Sequence, residues 1–164
     1  INETSPKALA EAKKELISLK PNIKAYDSDS PKTLLVNGEA SLGFVWGTEV
    51  ALARRENKNI QAVIPSEGLF LQQDNFTLPT GAKNKDLAEQ FINFILEPEI
   101  SAEISKAFPY ANPNLAAHPL IDPDILNDTA VYPPDGAVKT GEHLKDIGQN
   151  IQLFDDIWTQ VKNK

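Results

Sequence analysis

The sequence alternates amphipathic segments of helical period with short apolar runs, and this alternation constrains the fold more than any other feature. Its clearest unit is a β-α-β pattern, which consists of a strand at 42–46, a helix at about 48–57 and a strand at 62–64. Strands that alternate with helices are typical of the α/β class, in which helices cover a mostly parallel sheet. We therefore predict an α/β fold.

The remaining elements follow from the same spacing and from the prolines. Helices are predicted at about 6–20, 31–36, 85–96, 98–107 and 141–161, the last being the longest. A short strand is predicted at 23–26, and two further apolar runs lie at 69–71 and 75–78. The helix at 85–96 is expected to bury Leu87, Phe91 and Phe94 or Ile95. Six prolines within residues 108–134 predict an ordered loop with short helical turns.

Composition limits the class of function. The 164 residues include no cysteine, which excludes disulfides, thiolate metal sites and cysteine nucleophiles. The net charge of −7 disfavours nucleic acid and anionic membrane surfaces as partners, because both repel a negative surface, and it suits a cationic ligand. No apolar run reaches the roughly 18 residues that a membrane span requires.

The residues that commonly carry chemistry do not form a catalytic arrangement. His118 and His143 have no acidic or histidine neighbour at metal-ligand spacing, and we interpret both as surface residues. The pair Asp155 and Asp156 lies in an amphipathic terminal segment and is interpreted as a solvated face. No nucleophile elbow, phosphate-binding loop or dinucleotide fingerprint occurs. The sequence thus predicts neither an enzyme nor a metal or cofactor site.

Eight short segments, in the same order along the chain, resemble the receptor proteins of spermidine/putrescine ABC importers, the polyamine-binding family. They are NIKAYDSDSP (22–31), NGEASLGFVW (37–46), IPSEG (64–68), LPTGAKNK (78–85), FINFILEP (91–98), YANPN (110–114), VYPP (131–134) and DIG (146–148). The resemblance extends over nearly the whole chain. It implies the periplasmic-binding-protein-like (type II) architecture, in which two α/β lobes close over a linear polyamine.

The resemblance also implies which residues contact the ligand. Aromatic rings flank the methylene chain in this family, and carboxylates receive the ammonium groups. Trp46 matches a ligand-stacking tryptophan, Asp74 matches an ammonium-binding carboxylate and Tyr110 matches a pocket tyrosine. These residue types suit the ligand, since a desolvated ammonium needs charge-assisted partners and an aromatic face attracts a cation.

The sequence departs from the family pattern at two positions. Gln72 stands where the best-known members carry a second tryptophan, and Leu144 stands at the position of a pocket glutamine. Either the selectivity differs, toward another or a shorter polyamine, or other residues rebuild the pocket. Glu49, in the first turn of the predicted helix after Trp46, is an acidic candidate for a compensating contact. The alternative for Glu49 is a solvated helix residue.

The resemblance further predicts the domain organisation. Residues 1–73 and 117–164 resemble much of the second lobe, residues 74–116 would return to the first lobe, and most of the first lobe precedes the family position of Ile1. Because the chain opens on Ile1 rather than Met, we expect an upstream part in a longer protein. Without its partner lobe, the segment 74–116 is expected to expose apolar surface and to favour self-association.

The implied function is extracytoplasmic capture of spermidine or putrescine and delivery to the ABC permease subunits at the membrane, with no nucleic-acid partner. A solute receptor of the same fold for another cationic or metal-complex ligand is the alternative, which Gln72 and Leu144 motivate. An enzyme and a scaffold domain without a pocket are the remaining hypotheses. Turnover of an amine would indicate the enzyme, and an empty cleft around Trp46 and Asp74 the scaffold.

Overall fold

Helices and short strands alternate along the chain in the computed structural model, which describes residues 2–163. The elements of that part are α1 (Pro6–Leu19), α2 (Pro31–Val36), α3 (Gly47–Glu56), β1 (Phe70–Leu71), α4 (Lys85–Ile95), α5 (Pro98–Ala107), α6 (Pro123–Leu126), α7 (Asp135–Thr140), β2 (Glu142–His143) and α8 (Ile151–Asn163). None of these helices is both long and apolar enough to span a membrane.

The helix starts follow the proline and capping rules. Ser5 Oγ accepts a hydrogen bond from the Ala8 amide at 3.4 Å, and Pro6 occupies the first position of α1, where its missing N–H costs nothing. Proline also begins α2 and α5. The predicted helices at 31–36 and 98–107 are confirmed as they stand, and those at 6–20, 48–57 and 85–96 are confirmed to within one residue.

Pairs of helices bury the small core. Helix α1 packs against α8, and Leu9 and Val161 are buried in these two helices. The rings of Tyr26 and Trp158 meet edge to face with their centroids 4.8 Å apart. Helix α2 packs against α3, and α4 packs against α5. A separate core cluster lies around α5 and consists of Ala102, Ala117 and Ile121, with Ile125 and Leu126 packed against it.

Asn112 orders the loop that the prolines predict. Its side-chain amide donates to the Ser101 carbonyl at 3.1 Å and to Ser105 Oγ at 2.8 Å. Its backbone N–H donates to Tyr132 Oη at 3.0 Å, and His118 Nε2 lies 2.8 Å from its carbonyl oxygen. The ordered loop is therefore confirmed. The interpretation of His118 as a surface residue is wrong, because its ring is half-buried between Asn112 and Tyr132.

The predicted strands are wrong, because within residues 2–163 no strand forms at 23–26, 42–46 or 62–64. Of the two further apolar runs, the one at 69–71 contains β1 and the one at 75–78 forms no strand. Leu42 is 84% exposed and Phe44 is 91% exposed, so the outward face of the segment 42–46 is open. A strand exists only where a neighbouring strand accepts its hydrogen bonds, and no described segment lies beside this one as a strand.

The predicted terminal helix is also partly wrong. It begins at Ile151 rather than near residue 141, because β2 and a 3₁₀ turn occupy the intervening residues. Gly148 in that turn has a φ of +55°, which a continuous α-helix does not accommodate. Helix α8 has 13 residues and α1 has 14, so α8 is not the longest described helix.

The apolar face of α4 is exposed rather than buried. Leu87, Phe91 and Phe94 are 64%, 56% and 49% exposed, which contradicts the expected burial of this face. Ile95 alone of the four is half-buried. The physical reason is that α5 is the main neighbour of α4 in the described structure and covers only one side of it. The exposure agrees with the expectation that segment 74–116 presents apolar surface.

Candidate ligand-binding site

A cavity lies at the carboxyl ends of the two strands. Strands β1 and β2 are parallel, with Phe70 opposite Glu142 and Leu71 opposite His143. The chain continues beyond both strands into a cavity of about 380 Å³, which is lined by Phe70, Leu71, Gln72, Gln73, His143 and Leu144. Ligands of open α/β sheets bind outside the carboxyl ends of the strands. The position of this cavity therefore makes it the candidate site.

Two contacts shape the β2 side of the cavity. The Asn2 side-chain amide donates to the His143 carbonyl at 2.9 Å, and Asn2 Oδ1 accepts from the Lys145 amide at 2.8 Å. The side chain thus bridges the peptides on either side of Leu144, which keeps this segment extended. On the other face, a Cβ on Gly141 would lie 2.7 Å from Leu71 Cδ1. A side chain at position 141 would therefore displace Leu71 where the chain enters β2.

Trp46 precedes α3, and its ring lies against β1. The centroids of the Trp46 and Phe70 rings are 5.7 Å apart, and the ring planes make an angle of 38°. Trp46 is 41% exposed, so part of its ring remains available to an alkyl chain or a cation. The structure places Trp46 next to the cavity through Phe70, although Trp46 follows an unpaired extended segment rather than the predicted strand.

Asp74 follows β1 by three residues and is exposed. Gln72 Nε2 donates a hydrogen bond to Asp74 Oδ1 at 3.1 Å. None of the ion pairs found in the described residues involves Asp74. The carboxylate is therefore held beside the cavity mouth by Gln72 and is open to a cation from solvent.

Tyr110 and Glu49 both adjoin the start of α3. Glu49 is half-buried in the first turn, where its amide donates to the Trp46 carbonyl at 2.9 Å. Tyr110 is 54% exposed and follows Pro109, whose carbonyl accepts a hydrogen bond from Thr48 Oγ1 at 2.7 Å. Of the five predicted site residues, the cavity lining includes Gln72, while the other four lie outside the lining.

Most of the cavity wall was not predicted from the sequence. Phe70, Leu71, Gln73 and His143 were not predicted as site residues, and His143 was interpreted as a surface residue. His143 is exposed and lines the cavity at the same time. A detectable signal existed for Gln73, since residues just after a strand are positioned to reach a ligand. No such signal existed on the other strand, because β2 lay within a predicted helix.

The described residues show one perturbed acid, and it lies outside the cavity lining. The backbone amide of Ser5 donates to Glu3 at 2.7 Å and lowers the pKa of that carboxyl group, with further donation from the Thr4 amide at 2.9 Å. Within residues 2–163, no group of three or more histidine, aspartate or glutamate side chains is arranged to hold a metal ion. The cavity lining consists of aromatic, aliphatic, amide and imidazole side chains, and the Asp74 carboxylate is bonded to one of them, Gln72.

A parallel strand pair with an aromatic ring, an amide and an available carboxylate at its carboxyl end defines an α/β ligand-binding domain. Residues 1–134 match the profile of the bacterial extracellular solute-binding proteins, and the chain belongs to this family. This match confirms the predicted resemblance at the level of the solute-binding family.

The relatives of this chain include polyamine-binding proteins. The spermidine/putrescine-binding periplasmic protein of Escherichia coli (strain K12) is 35% identical over 161 residues, which cover 98% of this chain and 46% of the relative. The putrescine-binding periplasmic protein PotF of the same organism is 37% identical over 125 residues, which cover 73% of this chain and 34% of the relative. The chain thus spans about half the length of the first of these relatives.

Solved structures share the fold. A structure assigned to a spermidine/putrescine ABC transporter from Listeria monocytogenes superposes with a TM-score of 0.90 at 31% identity, and the alignment covers 98% of this chain and 50% of the other. The substrate-binding protein PotD of a Streptococcus pneumoniae spermidine/putrescine ABC transporter gives a TM-score of 0.82 at 31% identity, with the same coverage. The chain therefore has the fold of about half of a two-lobe solute-binding protein.

Proposed function

We propose that this chain is the carboxy-terminal half of a solute-binding protein that captures spermidine or putrescine outside the cytoplasm. The observation that carries the proposal is the similarity over 98% of the chain to a spermidine/putrescine-binding periplasmic protein. The protein would deliver its ligand to the permease subunits of an ABC importer and catalyse no reaction. The names of the relatives are those of binding proteins rather than enzymes, which supports this reading.

The site chemistry supports a cationic ligand with an alkyl chain. The Asp74 carboxylate would accept an ammonium group, and Gln72 would hold the carboxylate in place through its hydrogen bond of 3.1 Å. The Trp46 ring would cover the methylene chain and attract a second ammonium group. Tyr110 and Glu49 both adjoin the start of α3 and would extend the site on the side of Trp46. The net charge of −7 would attract a polycation over longer distances.

We also propose a division of the chain between two lobes. Residues 1–73 and 117–164 would belong to the second lobe, and residues 74–116 would belong to the first. The exposed apolar face of α4, at Leu87, Phe91 and Phe94, supports this division because the rest of the first lobe would cover it. The open outer face of the segment 42–46 would likewise pack against upstream residues of a protein of the relatives' length, here called the longer protein.

The test is a ligand panel measured by titration calorimetry on the longer protein. Putrescine and spermidine should bind, whereas uncharged alkyl diols of the same length should not bind, because they lack the ammonium groups that pair with carboxylates. Binding of ferric complexes or of unrelated cations, without binding of either polyamine, would contradict the proposal. That result would support the receptor for another cationic or metal-complex ligand instead.

A further inference from the structure

Thr48 makes a buried connection between the two segments that carry the predicted aromatic contacts. Its hydroxyl group donates to the Pro109 carbonyl oxygen at 2.7 Å. Thr48 is 5% exposed and Pro109 is fully buried, so water does not replace this bond. Thr48 follows Trp46 by two residues, and Pro109 directly precedes Tyr110. The bond therefore connects the backbone next to Trp46 with the backbone next to Tyr110.

The start of α3 also packs against a second loop. A Cβ on Gly47 would overlap the carbonyl oxygen of Ala130, so α3 begins in direct contact with that loop. The loop itself is fixed, because Asp128 Oδ1 accepts from Arg54 Nη1 at 3.0 Å and from the Ala130 amide at 2.8 Å. Because Trp46 directly precedes α3, a displacement of Thr48 in the first turn also displaces Trp46.

We propose that Thr48 is a positioning residue that sets the location of Trp46 relative to Tyr110. Its role rests on the proposed function, because the two rings matter only if they contact one ligand. The Pro109 carbonyl has no other donor within the part of the chain that the structure describes. Removal of the hydroxyl group leaves this buried acceptor unsatisfied, so the start of α3 and the segment 108–110 move relative to each other, and Trp46 moves relative to Tyr110.

The two ends of this connection belong to different portions of the proposed lobe division. Thr48 lies in residues 1–73 and Pro109 lies in residues 74–116. A second bond crosses the same boundary, from Arg55 Nη2 to the Lys106 carbonyl at 3.0 Å, but it is exposed and lies at the opposite end of α3. The Thr48 bond is the buried one of these two contacts of α3, and Arg55 supplies a matched control.

The first measurement is the NMR chemical shift of the Trp46 indole N–H in the 164-residue chain, which contains two tryptophans. The indole N–H resonances are assigned by NMR with Trp46→Phe. Thr48→Val should move the Trp46 resonance and leave that of Trp158 in place. Thr48→Ser, which keeps the hydroxyl group, and Arg55→Gln should leave both resonances unchanged. Thr48→Ala is the second variant if the valine variant does not fold, and it should move the same resonance.

The second measurement is the affinity of the longer protein for putrescine and spermidine. Thr48→Val should weaken binding by about tenfold, and Thr48→Ser and Arg55→Gln should stay within about twofold of the unsubstituted protein. A valine variant that melts at a lower temperature but keeps its affinity and its Trp46 resonance would overturn the proposal. If the unsubstituted protein binds neither polyamine, the proposed function fails, and the Trp46 resonance alone still decides whether Thr48 positions that ring.

Discussion

The side-chain amide of Gln72 holds the carboxylate of Asp74 through a hydrogen bond of 3.1 Å to Oδ1. Gln72 also lines the cavity at the end of β1, so this bond orients the acidic group beside the cavity. A tryptophan at position 72 offers no acceptor and a single ring N–H donor, whereas glutamine supplies two amide hydrogens and an oxygen. At this position, where the resemblance implies a tryptophan, this chain has an amide that donates to the Asp74 carboxylate.

The Asp74 carboxylate should carry a large part of the ammonium binding. In the longer protein, Asp74→Asn should weaken the binding of spermidine or putrescine by at least tenfold, which corresponds to about 1.4 kcal/mol. The substitution keeps the shape of the side chain and removes the charge that would face the ammonium group. Titration calorimetry on the two proteins gives both affinities.

Asp155→Asn is the control for that experiment. Asp155 is an exposed carboxylate on α8, outside the cavity lining, so its substitution changes the net charge equally and leaves the site intact. Its affinity should stay within about twofold of the original, since exposed charges farther apart than about 8 Å are largely screened at physiological salt. Equal affinities for the two variants would mean that Asp74 has only a structural role.

Two glycines should respond in opposite directions to the same substitution. Gly47→Ala should lower the free energy of unfolding by about 1–3 kcal/mol, because the new methyl group overlaps the Ala130 carbonyl. Gly136→Ala should raise it by about 0.5–1 kcal/mol, since this position lies in α7 with open space around it. Urea denaturation of the longer protein measures both changes. Unchanged stability of the Gly47→Ala variant would show that the contact between Gly47 and Ala130 is looser than the structure indicates. Destabilisation by Gly136→Ala would contradict the open space at that position.

Local rules were enough to predict the helices α1 to α5. The starts of α1, α2 and α5 follow from serine and proline at fixed positions, and those signals act within one turn of the chain. The strands could not be predicted in the same way. An apolar run such as 42–46 becomes a strand only where another segment pairs with it, and that requirement is non-local.

The candidate site shows the same limit. Trp46 and Asp74 could be proposed from the family resemblance, and both lie beside the elements that border the cavity. The wall formed by His143 and Leu144 depends on the pairing of β2 with β1, which are separated by four helices. The apolar stripe of the terminal segment favoured a helix there. Pairing with β1 and the positive φ of Gly148 determine the observed structure instead.

The exposed face of α4 should cause this chain to self-associate when it is produced alone. Phe91 and Phe94 contribute to an exposed apolar surface, and contact between two such surfaces removes them from water. Phe91→Lys should lower the association measured by sedimentation velocity across a concentration series. Asn93→Lys is the matched control, because it adds the same charge to an exposed position of α4 that is already polar. Association that is equal in the two variants, or absent from the unsubstituted chain, would show that this face is not responsible.

This chain alone should bind polyamines at least a hundredfold more weakly than the longer protein. The first-lobe residues that precede it would supply about half of the ammonium partners. In the open site, Asp74 and a bound ammonium attract each other weakly, because an exposed ion pair contributes only about 0–1 kcal/mol. Two lost charge-assisted contacts, at roughly 1.5–3 kcal/mol each, already exceed the roughly 2.7 kcal/mol that a hundredfold change represents.

Calorimetry on the 164-residue chain and on the longer protein, in the same buffer, gives this ratio. The chain is measured at concentrations where sedimentation shows a monomer, since association would hide or create a site. Asp74→Asn in the isolated chain is the internal control, and it should change little because its ion pair is already weak there. Micromolar spermidine binding by the monomer, lost on that substitution, would mean that the residues around the β1–β2 cavity form a complete site without the first lobe.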